Sequence, residues 1–281
     1  MNSKRIELYA AVRQEGDGMD RVGVFPFGQP ILPLVQRDRT KKRVFVLGVY
    51  ASAVHARWFG EDGRQKIRAV AVASEPEIFW RGGQDVAQEI IAAIRLPAGA
   101  GRLAPAGTQY NGPSGEALDR LFLQPLGVSR EDAWLCDLVP HSCMNEGQAR
   151  ALQREYDPLR ASLGLPPYCW PRLPGELADE GRRAEIADEL LKSGAEILIT
   201  LGDQPLRWFT KCYGTADNLR AFGQTAPEYG RLHPISIAGR KLDLLPLVHP
   251  RQAARLGSHS AGWAGVHAEW IASRPSGLCV A

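Results

Sequence analysis

The sequence lacks the features of a disulfide-rich or metal-cluster protein. Only 5 of its 281 residues are cysteines, and no two of them form a Cys-x-x-Cys pair. A disulfide framework, a zinc site and an iron–sulfur cluster need spacings that this chain does not offer. We therefore predict buried free thiols in a reducing cytoplasm, with no metal and no other cofactor.

Long hydrophobic runs and an excess of one charge are also missing. No apolar stretch reaches the roughly 20 residues that a membrane span needs, and the first residues are charged too early for a signal peptide. We expect a cytoplasmic protein without a membrane partner. The 34 basic residues exceed the 31 acidic ones by only 3, so a nucleic-acid partner is permitted but not required.

Apolar runs alternate with helical patterns along the chain. Strands are predicted at residues 44–50, 67–73, 133–139, 197–201 and 242–248, although Pro246 weakens the last of these. Helices are predicted at residues 86–94, 114–126, 146–163, 181–193 and 261–272, and a loop at 96–107.

This alternation predicts an α/β fold, a three-layer α/β/α sandwich around a central, mainly parallel sheet of four to five strands. We assign residues 1–281 to a single domain, with 1–42 as an irregular lead-in. A basic run at residues 37–43 is interpreted as a solvated loop, with a phosphate contact as the alternative. Ligands bind such sheets at the carboxyl ends of the strands, so the residues after each strand are candidates for a site.

Five segments stand at or near these strand ends. They are Gly48 to Ser52, in which Ser52 is a candidate helix cap; Tyr110 to Asp119; Asp137; Leu201-Gly202; and His249-Pro250. Their order and spacing resemble the uracil-DNA glycosylase superfamily from about residue 44 to residue 270. The segment from Tyr110 is most similar to the iron–sulfur branch of that superfamily, although the cluster cysteines are missing.

The resemblance implies a monomeric enzyme that hydrolyses the N-glycosidic bond of a base flipped out of double-stranded DNA, with single-stranded DNA as a second option. By this resemblance His249 donates a hydrogen bond to the base carbonyl O2, and the flipped base stacks on Tyr110. The other implied base-binding residues are Gly48, Tyr50, Ser52 and Asn111, and the implied DNA contacts are Arg251, Gln252, Arg255 and Ser114.

Two departures from the family pattern carry information about the chemistry. The family places a carboxylate or an amide in its first loop, where this chain has Val49 and Tyr50, and Ala51 replaces the family's proline. Glu75 and Glu77 are candidate replacements, but a surface loop is the favoured interpretation of both. A third hypothesis, from another functional class, is therefore a protein that binds DNA without cutting it.

Asp137 stands where the family has a base-reading Asn. A protonated Asp in an apolar pocket accepts from the cytosine amine N4 and donates to N3, whereas an ionised Asp repels the O4 of uracil. Ser52 replaces a tyrosine that excludes 5-substituted bases in archetypal uracil enzymes. We therefore predict excision of a 5-modified cytosine, with a role in defence against phage DNA. The alternatives are that Asp137 only caps a turn, and that the chain repairs uracil or another deaminated base.

Overall fold

The computed structural model describes residues 21–256 and 261–273. The strands are β1 (Gly23–Val24), β2 (Pro30–Ile31), β3 (Val44–Tyr50), β4 (Ala53–Phe59), β5 (Gln65–Ser74), β6 (Arg102–Pro105), β7 (Ala133–Val139), β8 (Ile197–Leu201), β9 (His233–Ile237) and β10 (Arg240–Leu247). The α-helices are α1 (Gln84–Ala92), α2 (Pro113–Leu118), α3 (Glu146–Ala151), α4 (Asp157–Arg160), α5 (Glu180–Ser193), α6 (Asp203–Trp208), α7 (Pro250–Ala253) and α8 (Ala261–Ala272).

A five-stranded sheet with the order β7-β3-β8-β10-β9 forms the centre of the molecule. β3 runs parallel to β7 and β8, and β10 runs parallel to β8 but antiparallel to β9. This confirms a mixed α/β fold with a mostly parallel sheet. All residues of β7 and β8 are buried, as expected for parallel strands covered on both faces.

Pro246 does not interrupt the sheet. On one side it pairs with Thr200 of β8. On the other side, the pairing of β10 with β9 extends only as far as Leu244, which stands opposite His233. No strand residue therefore stands opposite Pro246 on that side, which is the edge position at which a strand tolerates proline.

A second, antiparallel sheet with the order β5-β4-β6 departs from the predicted alternation. The proposal that Ser52 caps a helix is wrong, because β4 begins at Ala53 directly after it. The predicted loop at 96–107 contains β6, and the strand predicted at 67–73 is β5 of this sheet. Trp58 of β4 packs against Phe27 and Tyr156 in a hydrophobic cluster separate from that of the central sheet.

Two predicted long helices are interrupted. The helix predicted at 114–126 is α2 followed by a π-helical turn at Asp119–Leu123, and the one predicted at 146–163 is α3, a π-helical turn at Leu152–Tyr156 and α4. The predicted bounds of α8 are confirmed. The N-terminal lead-in contains β1 and β2 in its described part, and residues 1–20 lie outside the described residues.

The basic run at residues 37–43 precedes β3, at the sheet edge opposite the carboxyl ends of the parallel strands. Lys42 is buried, and its Nζ donates to the main-chain oxygen of Glu131 at 2.6 Å and to Asp38. Arg43 donates to the main-chain oxygen of Gly127 at 3.2 Å. Lys42 is held within the chain, so the phosphate-contact alternative is wrong for Lys42. For the exposed Arg43 it stays a prediction.

Candidate active site

A cavity of about 540 Å³ opens where the carboxyl ends of β3, β7 and β10 meet the end of β5. Its wall includes seven of the predicted site residues, namely Tyr50, Ser52, Tyr110, Ser114, Asp137, His249 and Arg251. Four predicted residues do not line it, namely Gly48, Asn111, Gln252 and Arg255. The wall also contains Glu75, which the sequence offered only as a candidate, and four polar residues that were not predicted, namely His55, Ser142, Asn145 and Gln148.

Asp137 lies near the end of the buried strand β7 and is only 5% exposed. Burial raises the pKa of its carboxyl group to about 7, although the positive charge of Arg182 opposes the rise. Arg182 does not neutralise the side chain directly. Its guanidinium donates to the main-chain oxygens of Asp137 at 2.7 Å and of Leu138 at 3.0 Å, which holds the end of β7 in place.

Gly48 makes room for Asp137. The two residues are register partners in the β3–β7 pair. A Cβ atom at position 48 would overlap the Asp137 carboxyl oxygen Oδ1 and would lie 2.5 Å from Cζ of Phe79. Gly48 therefore shapes the pocket by the absence of a side chain and does not itself line the cavity.

Glu75 is the residue for which the structure overturns the favoured sequence interpretation. It is 5% exposed and lines the cavity, so the surface-loop interpretation is wrong for Glu75, whereas Glu77 is exposed as expected. Burial and then the negative charge of Asp137 raise the pKa of Glu75 to about 8, while hydrogen bonds from Ser52 and from the main chain of Trp80 oppose this rise.

The two carboxyl groups lack cationic partners. No lysine, arginine or histidine in the described part of the chain lies within salt-bridge distance of either Asp137 or Glu75. Two interacting buried carboxyl groups without a salt-bridge partner favour states that retain a proton at neutral pH, even though the charge of Arg182 lowers the pKa of Asp137. The pocket can therefore present both a hydroxyl donor and carboxyl acceptors.

Aromatic rings line the cavity near these acids. Tyr110 is half-buried, with its ring centroid 6.4 Å from that of His55. Phe79 has a positive φ of 51°, which is unusual for a non-glycine residue. Arg130 stabilises this conformation, because its guanidinium donates to the Phe79 oxygen at 2.8 Å and to the Ile78 oxygen at 3.3 Å.

His249 forms the N-cap of α7. Its Nδ1 accepts a hydrogen bond of 3.2 Å from the main-chain N–H of Arg251. Burial and then the positive charge of Arg251 lower the pKa of His249 to about 4. The ring is therefore neutral at pH 7, and because Nδ1 is the acceptor, Nε2 carries the proton and is a hydrogen-bond donor.

Two contacts position the strand end that carries His249. Gly202 has φ +85°, and a Cβ there would lie 3.3 Å from the Cβ of His249, so the predicted Leu201-Gly202 element adjoins the His249-Pro250 loop. Tyr229 accepts from the Val248 N–H at 2.9 Å, and its hydroxyl lies 2.7 Å from Nδ1 of His267 in α8. This network fixes the backbone immediately before His249.

Asn111 has a structural task that differs from the predicted one. Its amide oxygen accepts from the His55 N–H at 2.8 Å and its amide nitrogen donates to the His55 oxygen at 3.0 Å. Asn111 is buried and ties the chain ahead of α2 to β4. The assignment of its side chain to base binding is therefore corrected to backbone support.

The segment after His249 forms the rim of the cavity. Arg251 is exposed, and its guanidinium donates to the Leu256 oxygen at 3.4 Å. Gln252 donates its N–H to the His249 oxygen at 2.8 Å, and Arg255 is exposed with φ +57°. Arg251 and Arg255, two of the predicted DNA contacts, are thus both exposed, and residues 257–260 after them lie outside the described residues.

A polar wall comes from the start of α3. Asn145 caps this helix, and the capping box orients Gln148, whose Oε1 accepts from the Asn145 N–H at 2.9 Å. The Gln148 amide nitrogen then faces Nε2 of His55 at 3.3 Å. Burial lowers the pKa of His55 to about 4, so its neutral Nε2 accepts from Gln148.

The cysteines in the described part of the chain are not grouped as the ligands of a metal site. Cys136 and Cys143 are buried, and Cys169 and Cys212 are exposed, while Cys279 lies outside the described residues. Within residues 21–256 and 261–273, no group of His, Cys, Asp and Glu side chains is arranged to hold a metal ion. The residues in this part of the chain therefore do not fit an iron–sulfur cluster.

The same part has no helix long and apolar enough to cross a membrane.

Comparison with known proteins adds no family assignment. A scan against protein-family models gives no match, and a search of curated proteins gives no relative.

Proposed function

We propose that this protein is a DNA glycosylase that hydrolyses the N-glycosidic bond of a flipped-out 5-modified cytosine. The observation that carries the proposal is the environment of Asp137, a buried carboxyl group without an ion pair at the end of a central strand. Burial raises the pKa of Asp137 to about 7, so a large fraction of it is protonated near neutral pH. A protonated Asp donates to cytosine N3 and accepts from N4.

His249 supports cleavage over mere binding. Breaking the bond between the sugar and the base leaves negative charge on the base, and a fixed donor at the base carbonyl stabilises that charge. The Nε2–H of His249 is such a donor, because its other ring nitrogen is held by the Arg251 N–H. A neutral histidine donates without requiring an acidic medium.

The size and lining of the cavity support a substituted base. Ligand cavities typically measure roughly 300–1,000 Å³, and the 540 Å³ observed here leave space beyond a bare pyrimidine ring. Ser52 is exposed at this wall, and Ser142, Asn145 and Gln148 add hydroxyl and amide groups. We infer that the substituent at C5 carries hydroxyl groups, which these side chains hydrogen-bond.

The proposal includes the setting in which the enzyme works. The sheet and its helices form a three-layer α/β/α sandwich of the uracil-DNA glycosylase type in a single domain. The protein acts as a cytoplasmic monomer on double-stranded DNA, with Arg251 and Arg255 at the DNA surface. An enzyme that removed ordinary cytosine would destroy the host genome, so the substrate is a base foreign to the host, as in the DNA of some bacteriophages.

The test is a base-release assay on duplexes that contain uracil, cytosine, 5-methylcytosine, 5-hydroxymethylcytosine or a glycosylated 5-hydroxymethylcytosine. We expect free base and alkali-sensitive abasic sites only with hydroxylated 5-substituents. We also expect D137N to lower cleavage of these bases and to increase cleavage of uracil. If the wild type releases only uracil, the protein belongs to ordinary repair. If it binds DNA tightly without releasing any base, it is a DNA-binding protein.

A further inference from the structure

Glu75 is a pocket residue that the family resemblance does not supply. We propose that Glu75 is the catalytic carboxylate that takes a proton from the attacking water, in place of the acidic side chain missing from the loop after β3. This inference rests on the proposed glycosylase function and assigns a role that the function itself leaves open.

The pairing of β4 with β5 explains how Glu75 reaches this position. Ser74, the last residue of β5, stands opposite Ala53, the first residue of β4. Glu75 therefore follows at the level of Ser52, at the end of the first loop. Both residues line the cavity, and Ser52 lowers the pKa of Glu75. The antiparallel sheet thus brings a carboxylate to the loop in which Val49 and Tyr50 provide none.

A purely structural role does not account for Glu75. Its side chain is 5% exposed, and its assigned hydrogen bonds come from the Ser52 side chain and the Trp80 main chain. Burying a carboxyl group without a cation destabilises a fold. Such groups in a cavity are typical of functional sites.

The reaction balances with water as the only co-reactant. The water oxygen forms a bond to C1′ of the sugar, and the proton lost by the water passes to a carboxylate oxygen of Glu75. The C1′–N1 bond breaks, and its electron pair leaves with the base, whose charge is stabilised by the Nε2–H of His249. Solvent then protonates the released base and accepts the proton from Glu75, so that the carboxylate is restored.

The pH dependence follows from the surroundings of Glu75. The titratable and charged groups that share its cavity are Asp137, His55, His249, Tyr50, Tyr110, Cys143 and Arg251, and Glu77 lies beside it in the loop. Because burial raises the pKa of Glu75 to about 8, the base form increases with pH. A catalytic base with a pKa near the working pH is efficient. The proposed base reading also needs protonated Asp137, whose pKa burial raises to about 7. We therefore expect a bell-shaped pH–rate profile, with its rising limb set by Glu75, its falling limb set by Asp137 and its maximum between about pH 7 and pH 8.

The experiment measures single-turnover cleavage of the modified-cytosine duplex that the wild type cuts, together with binding of the same duplex. We expect E75Q to lower the rate by roughly 10²–10⁴-fold, the range for a lost general base, without weakening DNA binding. The matched control is E77Q, which changes an exposed neighbour and leaves the rate unchanged. A wild-type rate in E75Q would overturn the inference and leave the glycosylase function standing.

Two further variants separate catalysis from folding. In E75A, added formate should restore part of the rate, because a small carboxylate can enter the vacated space. In S52A, the loss of the hydrogen bond that lowers the pKa of Glu75 should shift the rising limb of the pH–rate profile to higher pH. A failure of formate rescue together with an unshifted limb would overturn the assignment. If the wild type cleaves no base at all, the proposed function itself fails, and this inference fails with it.

Discussion

Asp137 fills the space that a side chain at Gly48 would occupy. The two residues face each other across the parallel pair of β3 and β7, and a Cβ at position 48 would overlap the Asp137 carboxyl group and contact the Phe79 ring. The absence of one side chain therefore creates the room in which the proposed base-reading acid lies.

Replacing Gly48 by alanine tests this relationship. We expect G48A to lower the free energy of unfolding by about 1–3 kcal/mol, as overpacking of a core does, and to reduce the preference for modified cytosine because Asp137 must move. Urea unfolding and the ratio of cleavage rates measure the two effects. The control is G175A, since a Cβ at Gly175 meets nothing within 4 Å; equal effects of both variants would contradict this packing.

The buried acids predict a stability that falls as pH rises. Burial raises the pKa of Asp137 from 3.8 to about 7 and that of Glu75 from 4.5 to about 8. For each group, the first value applies to the unfolded state and the second to the folded state. At a pH between the two, the folded state holds more protons than the unfolded state, so the free energy of unfolding decreases as pH rises. The decrease should be on the order of a few kcal/mol for each group, and it should stop above about pH 8.

Amide variants provide the check on this pH dependence. D137N and E75Q remove the titrating groups, so each should flatten the decrease between pH 5 and pH 8 as measured by urea unfolding. At pH 4, where both acids are protonated in the folded protein, each variant should resemble the wild type. A wild-type pH dependence retained in the double variant would show that other groups cause it.

His249 combines a structural task with a chemical one. H249A removes both the cap of α7 and the Nε2–H donor, so it should lower cleavage by roughly 10²–10³-fold and stability by about 1 kcal/mol. H249N restores a capping oxygen but not the imidazole donor, and it should recover stability without activity. If cleavage recovers in H249N, His249 is needed only as the N-cap of α7.

Arg251 at the rim is expected to contact DNA. R251A should weaken duplex binding and reduce its dependence on salt concentration, and its melting temperature should stay close to that of the wild type because the side chain is exposed. The control is R64A, which removes an arginine 85% exposed in the turn between β4 and β5. Equal loss of affinity in both variants would indicate a nonspecific charge effect.

The central sheet was predictable because buried parallel strands are continuous apolar runs. β3, β7 and β8 lie at the predicted residues. The meeting of Asp137 and His249 in one cavity also agrees with the tendency of such sheets to gather ligand contacts at the carboxyl ends of their strands.

The antiparallel sheet and its residues were less predictable. β4 includes His55 and Arg57 among apolar neighbours, so its pattern did not indicate a buried run. The sequence drew attention to Asn111 but did not predict its role. The Asn111 side chain accepts a hydrogen bond from the main chain of His55, and this contact joins residues 56 positions apart.

The sequence by itself determined the elements with strong local periodicity, the mostly parallel α/β sheet and the polar residues at its strand ends. Only the tertiary structure decided that Glu75 is buried, that Gly48 yields its space to Asp137, and that Nε2 of His249 carries the proton. The physical reason is that hydrophobic periodicity is a local property, whereas burial, pKa and tautomer depend on groups brought together by strand pairing across long stretches of chain.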